Sequence, residues 1–142
     1  MPAAESELLR AFREGFEQGN RAWNAGDVRT AYAVLPDQVE YRLATTWPEA
    51  RVLRSRDEVI EFFEDFQETF PDARTASHEY EEGPNGTLVA GFRVAGTGRT
   101  SGAVVEMEIW QVWEGDQDNL TVTRVTEFTN RREALEAAGL SE

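Results

Sequence analysis

The sequence predicts an α+β domain in which helices pack against one face of a mainly antiparallel sheet. Apolar side chains recur every three to four residues in much of the N-terminal half, which is the spacing of amphipathic helices. The C-terminal half is a series of alternating apolar and polar segments separated by turns that contain glycine or proline. The chain has 142 residues, of which 40% are hydrophobic, so we expect one domain, residues 1–142, with its own core.

Two helices are predicted at the start of the chain. The first spans residues 6–25, and Gly26 is placed to end it. Its apolar stripe consists of Leu8, Leu9, Phe12, Phe16 and Trp23. Asp27 then caps a short second helix that we expect to continue through Leu35, because its carboxylate accepts from free backbone N–H groups.

A third helix has the clearest start signal in the chain. Ser55 as N-cap and Glu58 three residues later form a capping box. The apolar stripe that follows consists of Val59, Phe62, Phe63, Phe66 and Phe70. Pro71 ends the helix.

The predicted strands surround this third helix in the sequence. They cover residues 38–43, 51–54, 73–82, 87–96, 101–114 and 120–129. Residues 44–50 form a loop that contains Trp47. Helices therefore dominate the first half, and strands joined by turns dominate the second.

The charged residues exclude several kinds of function. The net charge is −13, and all fourteen basic residues are arginine. Without lysine there is no Schiff-base catalysis and no phosphate-loop lysine, and without a basic stripe we expect no binding to nucleic acid or to anionic membranes. The absence of cysteine removes disulfides and thiolate chemistry. With a single histidine in addition, we expect no metal site and no cofactor.

The hydropathy of the chain predicts a soluble protein. No segment approaches the roughly 20 consecutive apolar residues of a membrane span. Residues 1–7 have neither a basic region nor an apolar run, so no secretory signal is visible. We therefore expect a cytoplasmic protein.

Several short motifs, taken in order, resemble a known family. They are AWNAGD at 22–27, WPEA at 47–50, RSRD at 54–57, QVW at 111–113 and EALEAAGL at 133–140. Together they resemble the SnoaL-like branch of the NTF2-like superfamily, which has a cystatin-like fold. The resemblance implies a cone: a strongly curved sheet wraps around about three N-terminal helices, with a short C-terminal helix, an apolar pocket at the open end and usually a homodimer. Members include ketosteroid isomerases, polyketide cyclases, epoxide hydrolases and dehydratases, as well as domains that only bind or dimerise, so the fold does not identify the activity.

Glu127, in the last strand, is the leading candidate for chemistry. It shares one strand face with Val125 and three threonines, and the opposite face is not cleanly apolar either. The connection at 114–119 allows several pairing registers, so both orientations remain open. If Glu127 faces an apolar pocket, desolvation raises its pKa and suits it to proton transfer; if it faces outward, it is an interface or solvent acid.

Gln111 and Tyr41 are the other candidate catalytic residues. Val105, Met107, Ile109, Gln111 and Trp113 share one face of the fifth predicted strand, which is the better core candidate. Gln111 is then a polar group among apolar ones, and it needs either a ligand or a hydrogen-bonding neighbour. If the protein is an enzyme of the isomerase, cyclase or hydrolase kind, Glu127 acts as base while Tyr41 or Gln111 donates to the developing oxyanion.

The sequence departs from the catalytic patterns of similar enzymes. The limonene-type epoxide hydrolases pair Arg-x-Asp with Tyr-x-Asn; here only Tyr41 and Glu127 match those sites. Dehydratases of this superfamily rely on histidines, and the one histidine here, His78, is predicted to lie at the surface of an edge strand.

Aromatic and aliphatic residues are predicted to form the pocket for a small apolar molecule. The predicted lining consists of Trp23, Trp47, Phe66, Phe92, Ile109, Trp113 and Val125. Trp47 lies in a loop, where it acts as a lid, plugs the cone or packs at a dimer interface. The alternative function is a non-catalytic binding or dimerisation module whose cone is filled by its own side chains.

Overall fold

The computed structural model describes residues 5–98, 102–116 and 121–140. Its elements are α1 (Glu7–Asn24), α2 (Val28–Ala31), β1 (Gln38–Arg42), β2 (Val52–Ser55), α3 (Arg56–Thr69), β3 (Arg74–Glu82), β4 (Leu88–Thr97), β5 (Val104–Asp116), β6 (Thr121–Phe128) and α4 (Arg131–Ala137). The strands form one curved sheet in the order β2-β1-β6-β5-β4-β3. All neighbours are antiparallel except β1 and β6, which are parallel, so the α+β prediction is confirmed.

The helices begin at side-chain caps. The hydroxyl of Ser6 accepts from Leu9 N at 3.0 Å at the start of α1, and the hydroxyl of Ser55 accepts from Glu58 N at 3.1 Å at the start of α3. These bonds satisfy backbone donors that have no partner within the helix. In the described ranges, none of these helices combines the length and the apolar character that a bilayer crossing requires.

The second helix is shorter than the sequence predicts. Asp27 caps it as expected, accepting from Thr30 N at 3.1 Å, but helical structure ends at Ala31 rather than at Leu35. Pro36 follows, and the residue before a proline is disfavoured in helical conformation. Leu35 is nevertheless buried in the core at the end of the turn.

The main core lies between the helices and the inner face of the sheet. Strand β5 contributes Met107, Ile109 and Trp113 to it, so the prediction that its odd positions face the core is confirmed. A single contiguous cluster joins these residues to the aromatic stripe of α3. The candidate site therefore lies between the inner face of the sheet and the helices.

A second, smaller core covers the outer face of the same sheet. Trp110 and Val112, at even positions of β5, are buried beneath Ala134 and Leu135 of α4. Gly91 of β4 makes room for the indole of Trp110, because a Cβ there would lie 2.6 Å from the ring. The sequence predicted one buried face of β5, whereas the structure buries part of both.

Candidate functional site

The structure turns Glu127 toward the inner face of the sheet. Its register partner on β5 is Gln111, and its neighbour Val125 pairs with Tyr41 of β1. Glu127 is only 6% exposed, so it is a buried acid rather than a solvent acid. Two adjacent strand pairings thus bring together the three residues that the sequence predicted as candidates.

Both carboxylate oxygens of Glu127 are fully engaged by donors. Oε1 accepts from the backbone N of Ala44 at 3.0 Å and from Nε1 of Trp47 at 2.7 Å. Oε2 accepts from the hydroxyl of Tyr41 at 3.0 Å and from Nε2 of Gln111 at 2.7 Å. Four neutral donors therefore compensate the buried carboxylate for the loss of water.

Gln111 is held by its neighbours on both sides of the amide. Its Nε2 also lies 2.6 Å from the hydroxyl of Tyr41, and its Oε1 accepts from Nε1 of Trp113 at 2.8 Å. Of the two interpretations of a buried glutamine, the structure shows the one in which neighbouring side chains satisfy it. The amide is consequently fixed in one orientation.

Burial dominates the electrostatics of this network. Removal from water raises the pKa of Glu127, and the hydrogen bonds from Ala44, Gln111, Trp47 and Tyr41 act in the opposite direction. Burial and the nearby charge of Glu127 raise the pKa of Tyr41 well above its usual range. The tyrosine therefore stays a hydrogen-bond donor to the carboxylate.

Tyr32 packs against the network and lines the cavity, and it was not among the site residues predicted from the sequence. Its ring meets that of Tyr41 edge-on, with centroids 6.3 Å apart, and stacks on Phe63 at 5.0 Å between centroids. The available signal was the spacing of Val28, Tyr32 and Leu35, which is that of a helix face. Because the helix ends at Ala31, this spacing alone does not place the hydroxyl.

A cavity of about 350 Å³ lies between α1, α2, the loop at 44–50 and the sheet. It is lined by Ala11, Phe12, Gly15, Phe16, Gln18, Gly19, Asn20, Trp23, Thr30, Ala31, Tyr32, Val34, Trp47, Thr75, Phe92, Gln111 and Trp113. Aromatic rings dominate its inner surface, as is typical of sites for small apolar molecules.

The predicted site residues divide into three groups by position. Gln111 and four predicted lining residues, Trp23, Trp47, Phe92 and Trp113, line the cavity. Glu127 and Tyr41 lie behind this lining, within the wall.

Phe66, Ile109 and Val125 belong to the core rather than to the cavity lining. Phe66 packs edge-on against Trp47, with ring centroids 5.0 Å apart, so Trp47 occupies the cavity side of the pair. Periodicity identifies buried positions but does not separate those that face a cavity from those that face another side chain.

Trp47 is part of the cavity wall. It is only 3% exposed, and its ring packs edge-on against Phe63 and Phe66. Its N–H donates to Glu127, which anchors the loop at 44–50 to the sheet. Trp47 is therefore a fixed part of the wall and not the lid that was one of the interpretations of the sequence.

His78 lies away from this site on the edge strand β3. It occupies a bulge between Ser77 and Glu79, and its ring contacts Trp110 edge-on at 5.3 Å. Its side chain is 37% exposed. Over residues 5–98, 102–116 and 121–140, no group of three or more acidic or histidine side chains is arranged to hold a metal ion.

Comparison with known proteins identifies the fold and the family. Solved structures with this fold include an NTF2-like protein from Anabaena variabilis ATCC 29413 (TM-score 0.69, 15% identity, 92% of this chain and 96% of that chain). Another is an NTF2-like protein from Burkholderia thailandensis E264 (TM-score 0.67, 20% identity, 82% and 88%). A third is the epoxide hydrolase/cyclase-like enzyme SalBIII, which is associated with pyran ring formation in the polyether salinomycin (TM-score 0.67, 13% identity, 85% and 92%).

These identities are low, so the structural likeness establishes the fold alone. None of the curated proteins matches this sequence. The SnoaL-like domain family matches residues 16–125, which is well over half of the chain. The chain therefore belongs to the family of SnoaL-like domains.

Proposed function

We propose that this domain binds a small, uncharged and mostly apolar molecule in the cavity between α1, α2 and the sheet. The observation that carries the proposal is the chemistry of the lining. Every lining residue is neutral, and seven of them are aromatic: Phe12, Phe16, Trp23, Tyr32, Trp47, Phe92 and Trp113. Ligand binding to such a surface is stabilised chiefly by the removal of apolar ligand area from water.

The polar atoms of the inner wall are already committed to one another. The indole N–H groups of Trp47 and Trp113 donate to Glu127 and Gln111. On the α1 side, the hydroxyl of Thr75 donates to Oδ1 of Asn20 at 3.0 Å. A ligand therefore meets ring faces and satisfied polar groups, and it gains few new hydrogen bonds.

A charged ligand is disfavoured by the same wall. An ion that enters an apolar cavity loses its hydration and needs a countercharge, which the neutral lining does not supply. The carboxylate of Glu127 lies directly behind Gln111 and Trp47, and when ionised it repels an anion. Selection for uncharged molecules follows from these two effects together.

Two matched fluorescent probes test this proposal. N-phenyl-1-naphthylamine is neutral, and 8-anilino-1-naphthalenesulfonate has the same ring system with an added sulfonate. We expect the neutral probe to bind one site per chain, and the sulfonate to bind at least about tenfold more weakly, which corresponds to about 1.4 kcal/mol. Equal affinity for the two probes, or no saturable binding of the neutral one, would reject the proposal.

A variant of the lining shows whether the probe occupies the cavity. Phe92 lines the cavity and is 6% exposed, so Phe92→Ala removes ring contacts from a bound molecule. Trp110→Phe alters a buried aromatic residue on the other face of the sheet and serves as the control. If Phe92→Ala weakens probe binding and Trp110→Phe does not, the result supports the cavity as the binding site.

Proton transfer by Glu127 is a second candidate function. It is favoured by the raised pKa of the buried carboxylate and by its direct hydrogen bonds to Gln111 and Trp47, which line the cavity. In this scheme Tyr41 or Gln111 exchanges one of its present hydrogen bonds for one to the oxyanion, and of the two only Gln111 lines the cavity. Once a substrate is known, turnover that survives Glu127→Gln unchanged would remove this role.

The alternative of a non-catalytic assembly module differs in its prediction for the cavity. A module whose cone is filled by its own side chains binds no probe.

We also propose that the chain is a homodimer, as the family resemblance implies. Light scattering after size-exclusion chromatography tests this, since a mass near 16 kDa would indicate a monomer.

A further inference from the structure

We propose that ligands enter the cavity between α1 and α2, and that Gly15 sets the width of this entrance and so limits the girth of the ligand. The inference rests on the proposed function for the identity of the ligand. The location of the entrance itself is argued from the exposure and packing of the lining residues.

The lining residues differ sharply in exposure along one direction. Those at the inner end are nearly inaccessible: Trp23, Trp47, Thr75, Phe92, Gln111 and Trp113 are each less than 10% exposed. The exposed ones come from α1 and from residues 28–35, called here the α2 segment because α2 begins it: Ala11, Gly15, Gln18, Thr30 and Val34. Val34 in particular is 70% exposed. The cavity therefore meets solvent between these two segments.

The two glycines of α1 define the shape of this opening. Residues 11, 15, 19 and 23 are four apart, so they form one row along the helix surface. At Gly19 an added Cβ would lie 3.4 Å from the carbonyl oxygen of Ala31, which means that α1 and the α2 segment are in close contact there. At Gly15 an added Cβ would meet no heavy atom within 4 Å. The gap therefore opens beside Gly15.

The backbone conformation at position 15 does not require glycine. It lies in the middle of α1, where glycine lowers helix stability relative to alanine because it loses more conformational freedom. No positive φ angle is recorded for it, unlike Gly26 at the end of the helix. Gly15 therefore lowers helix stability and leaves open space beside it. We infer that the absence of a side chain at this position keeps the entrance open.

Acrylamide quenching of tryptophan fluorescence tests the entrance without any ligand. Acrylamide is small and neutral, and three of the four tryptophans, Trp23, Trp47 and Trp113, line the cavity. We expect quenching of these residues in the native protein, a small loss with Gly15→Ala and loss of most of it with Gly15→Leu. Because both substitutions raise helix propensity, thermal unfolding should show that the variants are folded.

Glu14→Leu is the matched control, because it places the same side chain on the neighbouring exposed position of α1. The assignment of the entrance would be overturned if acrylamide quenched Gly15→Leu as strongly as the native protein. It would also be overturned if Glu14→Leu reduced quenching as much as Gly15→Leu does.

The kinetics of probe binding separate this inference from the proposed function. We expect the association rate of N-phenyl-1-naphthylamine to fall about tenfold or more in Gly15→Leu, because entry then requires the helices to move apart. An unchanged association rate contradicts the entrance while leaving the cavity as the binding site. If the native protein binds no probe, the proposed function fails, and acrylamide quenching still decides the entrance.

Discussion

Gln111 and Glu127 face each other directly across β5 and β6, and Nε2 of the amide donates to Oε2 of the carboxylate at 2.7 Å. This pairing fixes Gln111 in the cavity lining and Glu127 directly behind it. It gives Glu127 a structural role, because the carboxylate ties the sheet to Ala44 and Trp47 in the neighbouring loop.

Glu127→Gln should change how stability depends on pH. The folded state raises the pKa of Glu127 above the value of about 4.3 in an unfolded chain, so the folded state holds this proton more tightly. The resulting stabilisation is complete below the unfolded pKa and is lost as pH rises through the folded pKa. Urea denaturation from pH 4 upward should show the wild type losing stability relative to the variant, and parallel curves would contradict the shift.

Trp47→Phe should be costly because it removes a donor to a buried carboxylate. Hydrogen bonds to charged groups contribute about 1.5–3 kcal/mol, so we expect a loss of that order near neutral pH by urea denaturation. Trp110→Phe is the matched control, since its N–H donates at 3.0 Å to Glu108, which is exposed. A cost for Trp47→Phe no greater than that for Trp110→Phe would show that the bond contributes little.

Two glycine-to-alanine substitutions should change stability in opposite directions. In Gly91→Ala the new Cβ would lie 2.6 Å from the Trp110 indole, and such overpacking costs typically about 1–3 kcal/mol. In Gly15→Ala the new Cβ meets open space within a helix, which should raise stability by about 0.5–1 kcal/mol. Thermal unfolding of both variants beside the wild type measures this, and a shift in the same direction would be inconsistent with the packing described.

Glu40→Gln should destabilise the protein more at low salt than at high salt. Glu40 lies within 3.2 Å of three guanidinium groups, those of Arg42, Arg54 and Arg124. These interactions, led by the hydrogen bond from Arg42, lower its pKa. The stabilisation is therefore present above the unfolded pKa and is lost as pH falls through the lowered folded pKa.

The matched control for Glu40 is Glu106→Gln, because Glu106 pairs with the single Arg93 at 3.1 Å on the same sheet. Without Glu40, three like charges repel one another, and added salt screens that repulsion. Urea denaturation at two salt concentrations should give a larger salt effect for the Glu40 variant. Equal salt effects in the two variants would show that the three arginines do not act together.

Much of the fold was predictable because local signals agree with it. The cap at Ser55 and the apolar stripe after it place α3 within a residue of its observed start. The alternation in β5 identifies Ile109 and Trp113 as inner residues. The burial of Trp110 and Val112 was not predictable in the same way, because alternation does not reveal that α4 covers the opposite face.

Glu127, Gln111 and Tyr41 were predictable as members of the candidate site, but their geometry was not. The direction of Glu127 depends on the register of β5 with β6, which contains an irregularity between Glu114 and Gly115. Residues 117–119 of the predicted 114–119 connection lie outside the described residues. The position of Trp47 in the wall depends on a hydrogen bond to a residue 80 positions away in the sequence, which no local pattern encodes.

A crystal structure of the protein with N-phenyl-1-naphthylamine would show both whether the cavity binds an uncharged apolar molecule and where that molecule lies. We predict density for the probe among Phe16, Phe92 and Trp113, with Gln111 still bonded to Glu127. A cavity filled by rearranged side chains, or a probe bound only elsewhere on the surface, would contradict this prediction.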